Sequence, residues 1–245
     1  LEIDDSLAEA HTALANASFS YDWDFAMAEK EFQLALDINP DYATARHWYG
    51  LFLASRNRLD EALSEVQIAQ KLDPVSAVNN AGLARCSYYR REYDQATSYY
   101  QRALELDPLF EPAHLGLALV LLQQGNIGEA VEEFGSGLPD LESSEILLEA
   151  LEQAALGNVE KVEALAAAVV EKDGKASPPS EYLAVVYTVA GRNDDAFVWL
   201  EKALEERSEL MLYLGVDPIF ESLKDDSQFE SLLRRVDGAS GDRQN

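Results

Sequence analysis

Apolar residues along this chain come in short segments of helical period, arranged in pairs. Residues 45–54 form one such segment and 59–72 the next, separated by the polar stretch Ser55-Arg56-Asn57-Arg58. An apolar stripe recurring every three or four residues predicts an amphipathic helix, and two stripes with a short polar break predict a helical hairpin. The hairpin recurs in register. Pro40, Pro74 and Pro108 are 34 residues apart, as are Ala28, Ala62, Ala96 and Ala130; Ala35, Ala69, Ala103 and Gly137; and the bulky Phe32, Val66, Tyr100 and Phe134. Small residues also recur on the first helix of each pair, at Gly50, Ala84 and Ala118, where two helices must approach closely. Each recurrent proline denies the second helix its next backbone donor and ends the hairpin at a fixed length. The pattern predicts an all-α solenoid of stacked hairpins.

This register resembles the tetratricopeptide repeat, whose 34-residue unit carries small residues at positions 8, 20 and 27, a bulky apolar residue at 24 and proline at 32. Residues 43–74, 77–108 and 111–138 align without insertion, and 8–40 needs one extra residue in its turn, around SYDWDF. A unit over 177–207 places Ala184, Ala196, Leu200 and Ala203 at positions 8, 20, 24 and 27. Residues 143–172 are degenerate, with Val162, Ala166 and Val169 where Ala, a bulky residue and Ala belong. The count is six units. The tryptophan usual at position 4 is replaced by His11, Arg46, Asn80 and His114. The resemblance implies a right-handed superhelix with a concave groove lined by the first helices.

At the start, LEIDD superposes on LELDP at 104–108, so residues 1–5 read as the end of a truncated upstream repeat. Its loss would leave Leu7 and Leu14 on an exposed face suited to self-association. Residues 208–236 read as a C-terminal helical cap, with Phe229, Leu232, Leu233 and Val236 at helical spacing, and 237–245 as a disordered tail. Gly135, Gly137 and Pro139 should shorten the fourth unit's second helix, and KDGKASPPS adds a long turn, so a hinge or change of pitch is expected between 135 and 178. The stretches YDWDFAMAEKEFQLALDINPDYATARHWYGLFL and DPIFESLKDDSQFESLLRRV also resemble the C-terminal repeat arms of bacterial multidomain signalling proteins, which follow a cyclase, kinase or winged-helix domain.

Charge narrows the partners. Forty-five acidic against 19 basic residues give a net charge of −26, which repels phosphate backbones and anionic lipid, so neither nucleic acid nor a membrane surface is an expected partner. No apolar run is long enough to span a bilayer, and the single cysteine, Cys86, fits a reducing, cytoplasmic setting and a buried structural role. Catalysis fails on inventory. His11, His47 and His114 fall on three different first helices and read as partly exposed surface residues; neither a metal-binding pair nor a nucleotide or hydrolase motif exists. No cofactor is implied.

The family's groove positions carry over to Asn16, His47, Leu51, Arg85, Tyr88, Tyr89, Leu115, Leu119, Leu122 and Gln123. They make a groove that is apolar and aromatic in its middle, with Arg85 as its one clear cation. Tyr and Arg are frequent energetic anchors, which nominates Arg85, Tyr88 and Tyr89. The family's clamp for chaperone carboxylates would need cations where this chain has Thr12, Val78 and Gly82 and an asparagine where it has Trp48; only Asn16 matches. The reading is a non-catalytic scaffold that binds a peptide or helix with apolar anchors and basic flanks. The alternative is a regulatory or sensory arm controlling an attached effector.

Overall fold

The computed structural model describes residues 6–139, 141–173 and 180–238. They form six helical hairpins followed by a C-terminal segment: α1 (Ala8–Ala17) with α2 (Phe25–Ile38), α3 (Ala43–Ser55) with α4 (Leu59–Leu72), α5 (Ala77–Tyr89) with α6 (Tyr93–Leu106), α7 (Glu111–Gln124) with α8 (Ile127–Ser136), α9 (Ser144–Ala155) with α10 (Val159–Asp173), and α11 (Ser180–Val189) with α12 (Asn193–Glu205). The segment comprises α13 (Leu210–Tyr213), a 3-10 stretch (Pro218–Leu223) and α14 (Ser227–Gly238). The protein is an all-α solenoid, and no helix among the described residues is long and apolar enough to cross a membrane.

The register positions are where helices touch. Ala28, Phe32, Ala62, Val66, Ala96 and Ala130 are wholly or almost wholly buried, and a Cβ added to Gly50 would lie 2.6 Å from Val66 Cγ1 and 3.1 Å from the Ala62 carbonyl oxygen. In the fifth hairpin Val162, Ala166 and Val169 invert the usual sizes and are still fully enclosed, so the volume lost at one position is supplied by its neighbours. Each hairpin turn uses a left-handed residue: Asn57, Arg91, Gly125, Gly157 and Gly191 all have positive φ, and the following amide donates back five residues, as from Asn126 to Leu121 O at 2.9 Å. The extra residue of the first unit is absorbed as a π-helical turn over Ser18–Asp22, after which Trp23, at φ 58°, makes the reversal.

The position-4 residues do structural work that their chemistry did not announce. Arg46, Asn80 and His114 each reach the carbonyl of the proline that closed the preceding hairpin, at 3.0, 3.4 and 3.0 Å. Arg46 and His114 also pair with a glutamate on their own second helix, Glu65 and Glu133, both at 2.6 Å, and His11 pairs likewise with Glu31. A polar clamp thus stands in for the missing tryptophan and ties successive units.

Three expectations are corrected. His11 and His47 are buried rather than partly exposed, because each lies in the cleft between its own and a neighbouring helix, whereas His114 is partly exposed as expected. Helix α14 continues through Asp237 to Gly238, beyond the expected cap at 236, because Asp237 pairs with Arg56 at 2.8 Å. The C-terminal segment does not sit only over the end of the stack; it turns across the first helices. Helix α8 does stop at Ser136, and α11 leans on α9 more than on α10. Residues 1–5, the middle of the KDGKASPPS turn and residues 239–245 lie outside the described residues.

Replacing Gly50 with alanine should cost about 1–3 kcal/mol by forcing the enclosed Val66 aside, read as a lower urea midpoint at unchanged slope. His47 offers a pH test. Burial, and secondarily the charge of Arg85, lowers its pKa from 6.5 to about 4. Below pH 6.5 the unfolded chain takes up a proton that the folded chain refuses, so this histidine's contribution falls as pH drops toward 4 and the loss is complete below that. The stability gap between His47→Leu and the parent should therefore shift in favour of the variant by about 3 kcal/mol between pH 7 and 4, measured by denaturant titration across that range.

Candidate functional site

Helix α5 begins at Ser76, whose hydroxyl accepts the Asn79 amide at 3.2 Å, and its last two turns carry Arg85, Tyr88 and Tyr89 toward the concave side. The groove expected there is already filled by the chain's own C-terminal segment. Arg207, at φ 53°, follows α12 and turns the backbone out of the stack, with the Ser208 amide donating to Ala203 O at 2.9 Å. Met211, Leu214, Phe220, Leu223, Phe229 and Leu232 are then buried as the segment crosses the first helices. Their apolar area binds it as core rather than as a loosely held strap.

Polar contacts fix its register. The Tyr88 hydroxyl donates to Asp217 Oδ1 at 2.7 Å, and the same oxygen accepts the Ile219 amide at 2.9 Å, starting the 3-10 turn. Tyr213 stacks on Tyr89, with ring centroids 5.5 Å apart and planes inclined by 21°, and meets Phe19 edge-on. Arg85 pairs with Glu209 at 3.0 Å and lies over the Tyr213 ring; Arg91 pairs with Glu221 at 2.6 Å. Arg207 Nη1 donates to the Tyr21 and Asp22 carbonyls at 2.8 and 3.2 Å, so the sixth hairpin's end touches the first hairpin's turn.

What stays open is a cavity of about 250 Å³ between α5, α7, α11 and the C-terminal segment. Arg85, Tyr88, Tyr89, Leu115 and Leu119 line it, five of the ten groove residues named from the sequence. The other five stand apart. His47 and Leu51 are buried on α3, and a Cβ on Gly82 would lie 2.8 Å from His47 Nδ1. Asn16, half-buried on α1, accepts from the Ser20 hydroxyl at 3.3 Å; Leu122 and Gln123 are half-buried at the end of α7, and Gln123 accepts from the Tyr93 hydroxyl at 3.4 Å. Tyr88 and Tyr89 face inward as packing groups under the segment, which corrects their expected exposure. Sequence reasoning missed Glu181, Tyr182 and Val185 on α11, and Glu209, Tyr213 and Asp217 beyond it. The available signal was SELMLYLGVD, too apolar for a surface connector and acidic where the groove carries its cation.

Burial shapes the ionisation of these groups. It raises the Asp217 carboxyl above the usual range, against the Ile219 amide and the Tyr88 hydroxyl, which favour the ionised form. Glu181 is likewise raised by burial, and the Ser208 hydroxyl that bonds it opposes the shift. Burial works against the Arg85 charge too, but Glu209 and the surrounding tyrosines outweigh it and hold the guanidinium protonated. The Cys86 thiol is pushed up to about 12 by burial, which makes it an inert packing group. Among the described residues no group of three or more metal-binding side chains converges.

Tyr88→Phe removes the one side chain that donates to the buried Asp217. The variant should be less stable by about 1–3 kcal/mol, with the loss shrinking as acid protonates the carboxyl, measured by urea unfolding at pH 7 and pH 5.

Two tetratricopeptide repeat family profiles match, one over residues 3–77 and the other over 89–153, together more than half the chain. No curated protein matches significantly. Among solved structures, PilW, a widely conserved type IV pilus biogenesis factor, superposes with a TM-score of 0.61 at 28% identity, over 75% of this chain and 84% of its own. PilF of Pseudomonas aeruginosa gives 0.55 at 22%, over 74% and 81%. A tetratricopeptide repeat protein of Parabacteroides merdae gives 0.55 at 17%, over 97% and 94%. These are bacterial repeat proteins and not specifically the arms of multidomain signalling proteins. With the hairpin register, the buried small residues and the matched profile in agreement, the chain belongs to the tetratricopeptide repeat family, a class of non-catalytic scaffolds.

Proposed function

We propose that this scaffold holds a segment of a partner protein over the part of its concave face that the C-terminal segment leaves open, with one anchoring side chain entering the cavity between α5, α7 and α11. The observation that carries this reading is the cavity itself, whose mouth is formed by the half-buried Leu115 and Leu119 and whose floor is the enclosed Tyr88, Tyr89 and Tyr100. An apolar rim over an aromatic floor suits a single anchor, the arrangement that concentrates binding energy at protein interfaces. The net charge of −26 favours a partner segment with basic flanks. An extended peptide lying along the whole groove does not suit this geometry, because the buried C-terminal segment already lies against α3, α5, α7 and α11. The likeness to PilW supports a role in assembling other proteins.

A second reading, a sensory arm that controls an upstream cyclase, kinase or winged-helix domain, draws on the same cavity, whose 250 Å³ is also the scale of a small metabolite. In that case a ligand would raise the unfolding temperature of the isolated chain, because binding only the folded state adds to its stability.

Leu119→Glu places a charge at the mouth, at a half-buried site outside the small-residue register of the repeats. Affinity capture followed by mass spectrometry should lose a specific partner with this variant and keep it with Val198→Glu, an equally drastic change at an exposed site on α12. Retention by both folded variants would move the partner surface away from the cavity.

A further inference from the structure

The charges around the cavity do not balance. Glu181, Glu209 and Asp217 line it against one cation, Arg85. Glu209 is taken by Arg85 at 3.0 Å. Asp217 and Glu181 have hydroxyl partners, Tyr88 and Ser208, but neither forms an ion pair among the described residues. Around them stand the rings of Tyr88, Tyr89, Tyr100, Tyr182 and Tyr213. A tyrosine ring presents a negative face, so these walls attract positive charge, as the Arg85 guanidinium 5.3 Å from the Tyr213 centroid already illustrates. The field of the whole chain, at −26, has the same sign. An anion would meet two carboxylates that form no ion pair to reach one guanidinium that is already bonded. A neutral guest would leave both carboxylates as they are. Apolar surface from Leu115, Leu119 and Val185 receives the rest of the guest.

We propose that the cavity binds an organic cation, an ammonium or guanidinium on a short apolar stem, seated against Glu181 and Asp217 with its stem between Leu115 and Leu119. This rests on the reading of the cavity as the binding site and names the chemistry of its occupant. Glu209 and Asp217 belong to the C-terminal segment while Glu181 belongs to α11, so the bound cation also bridges the segment to the stack. Burial that raises both carboxyls fits a pair that gains from an incoming positive charge.

The test uses three probes of one shape on the full chain: phenethylammonium, 2-phenylethanol and 3-phenylpropionate, with binding measured by titration calorimetry at two salt concentrations. The ammonium should bind saturably and at least about tenfold more tightly than the alcohol, and the carboxylate should not bind. Glu181→Gln should erase the preference for the ammonium over the alcohol; Glu132→Gln, on the outer face of α8, should leave both affinities unchanged. Leu119→Trp, which fills the mouth, should abolish all binding. Equal binding of ammonium and alcohol overturns the cation assignment and leaves the cavity as the site. No saturable binding of any probe, or ammonium binding that survives Leu119→Trp, overturns both. A capped peptide with one central lysine, compared with its norleucine version, separates the two sources: preference for lysine assigns a partner's side chain, and binding of phenethylammonium alone assigns a free amine.

Discussion

The molecule depends on helices that approach until a side chain on one meets the backbone of the next. At Gly50 there is no room for a methyl group beside Val66, and the alanines at 28, 62, 96 and 130 are sealed completely. That distance sets everything downstream. It fixes the angle between the two helices of a hairpin, hence the surface offered to the next hairpin, hence the curvature of the stack. The prolines and the left-handed turn residues keep the count of residues constant so that the contact recurs. The fifth hairpin shows that the contact tolerates exchange of sizes, provided the enclosed volume is kept.

Curvature brings the end of the sixth hairpin back to the first. The C-terminal segment exploits this by filling the concave side with its own aromatic and aliphatic residues, and its carboxylates meet cations on a first helix and in the turns that follow the first helices: Glu209 with Arg85, Glu221 with Arg91, Asp237 with Arg56. The concave face is therefore not a blank groove awaiting a guest. Its chemistry has been largely satisfied from within, and the opening that remains is local, walled by both the repeats and the segment.

Most of the repeat architecture was legible because it is written in local spacing. Four tracks at one period, with a proline to end each unit, leave little freedom, and even the extra residue near Trp23 was visible as a broken count, though not as a π-helical turn. The groove positions were legible as places on a helix and not as environments. Tyr88 and Tyr89 fall on the concave face as their register requires, yet what covers them lies over 120 residues away, and the Tyr88 bond to Asp217 follows no period. The cap helix was readable from its own stripe of Phe229, Leu232 and Val236, but where it would lie was not, because an apolar stripe states that it must be covered and not by what. The position-4 clamp fell between these cases. His11, Arg46, Asn80 and His114 were identified as a series, but a series of unlike residues hides the acceptor that the last three share, a proline carbonyl that carries no side-chain signature.

A row of repeats that touch only their neighbours behaves as a one-dimensional lattice: it can lose an end unit without consulting the middle, and its stability adds up unit by unit. The bonds from Arg207 to the turn at Tyr21 and Asp22 join the sixth hairpin to the first, and the pair of Asp237 with Arg56 joins the C-terminal segment to the second. The lattice becomes a loop in which the first and last units are also neighbours. Opening the concave side then requires breaking contacts with several hairpins together, so units that look independent melt as a single one.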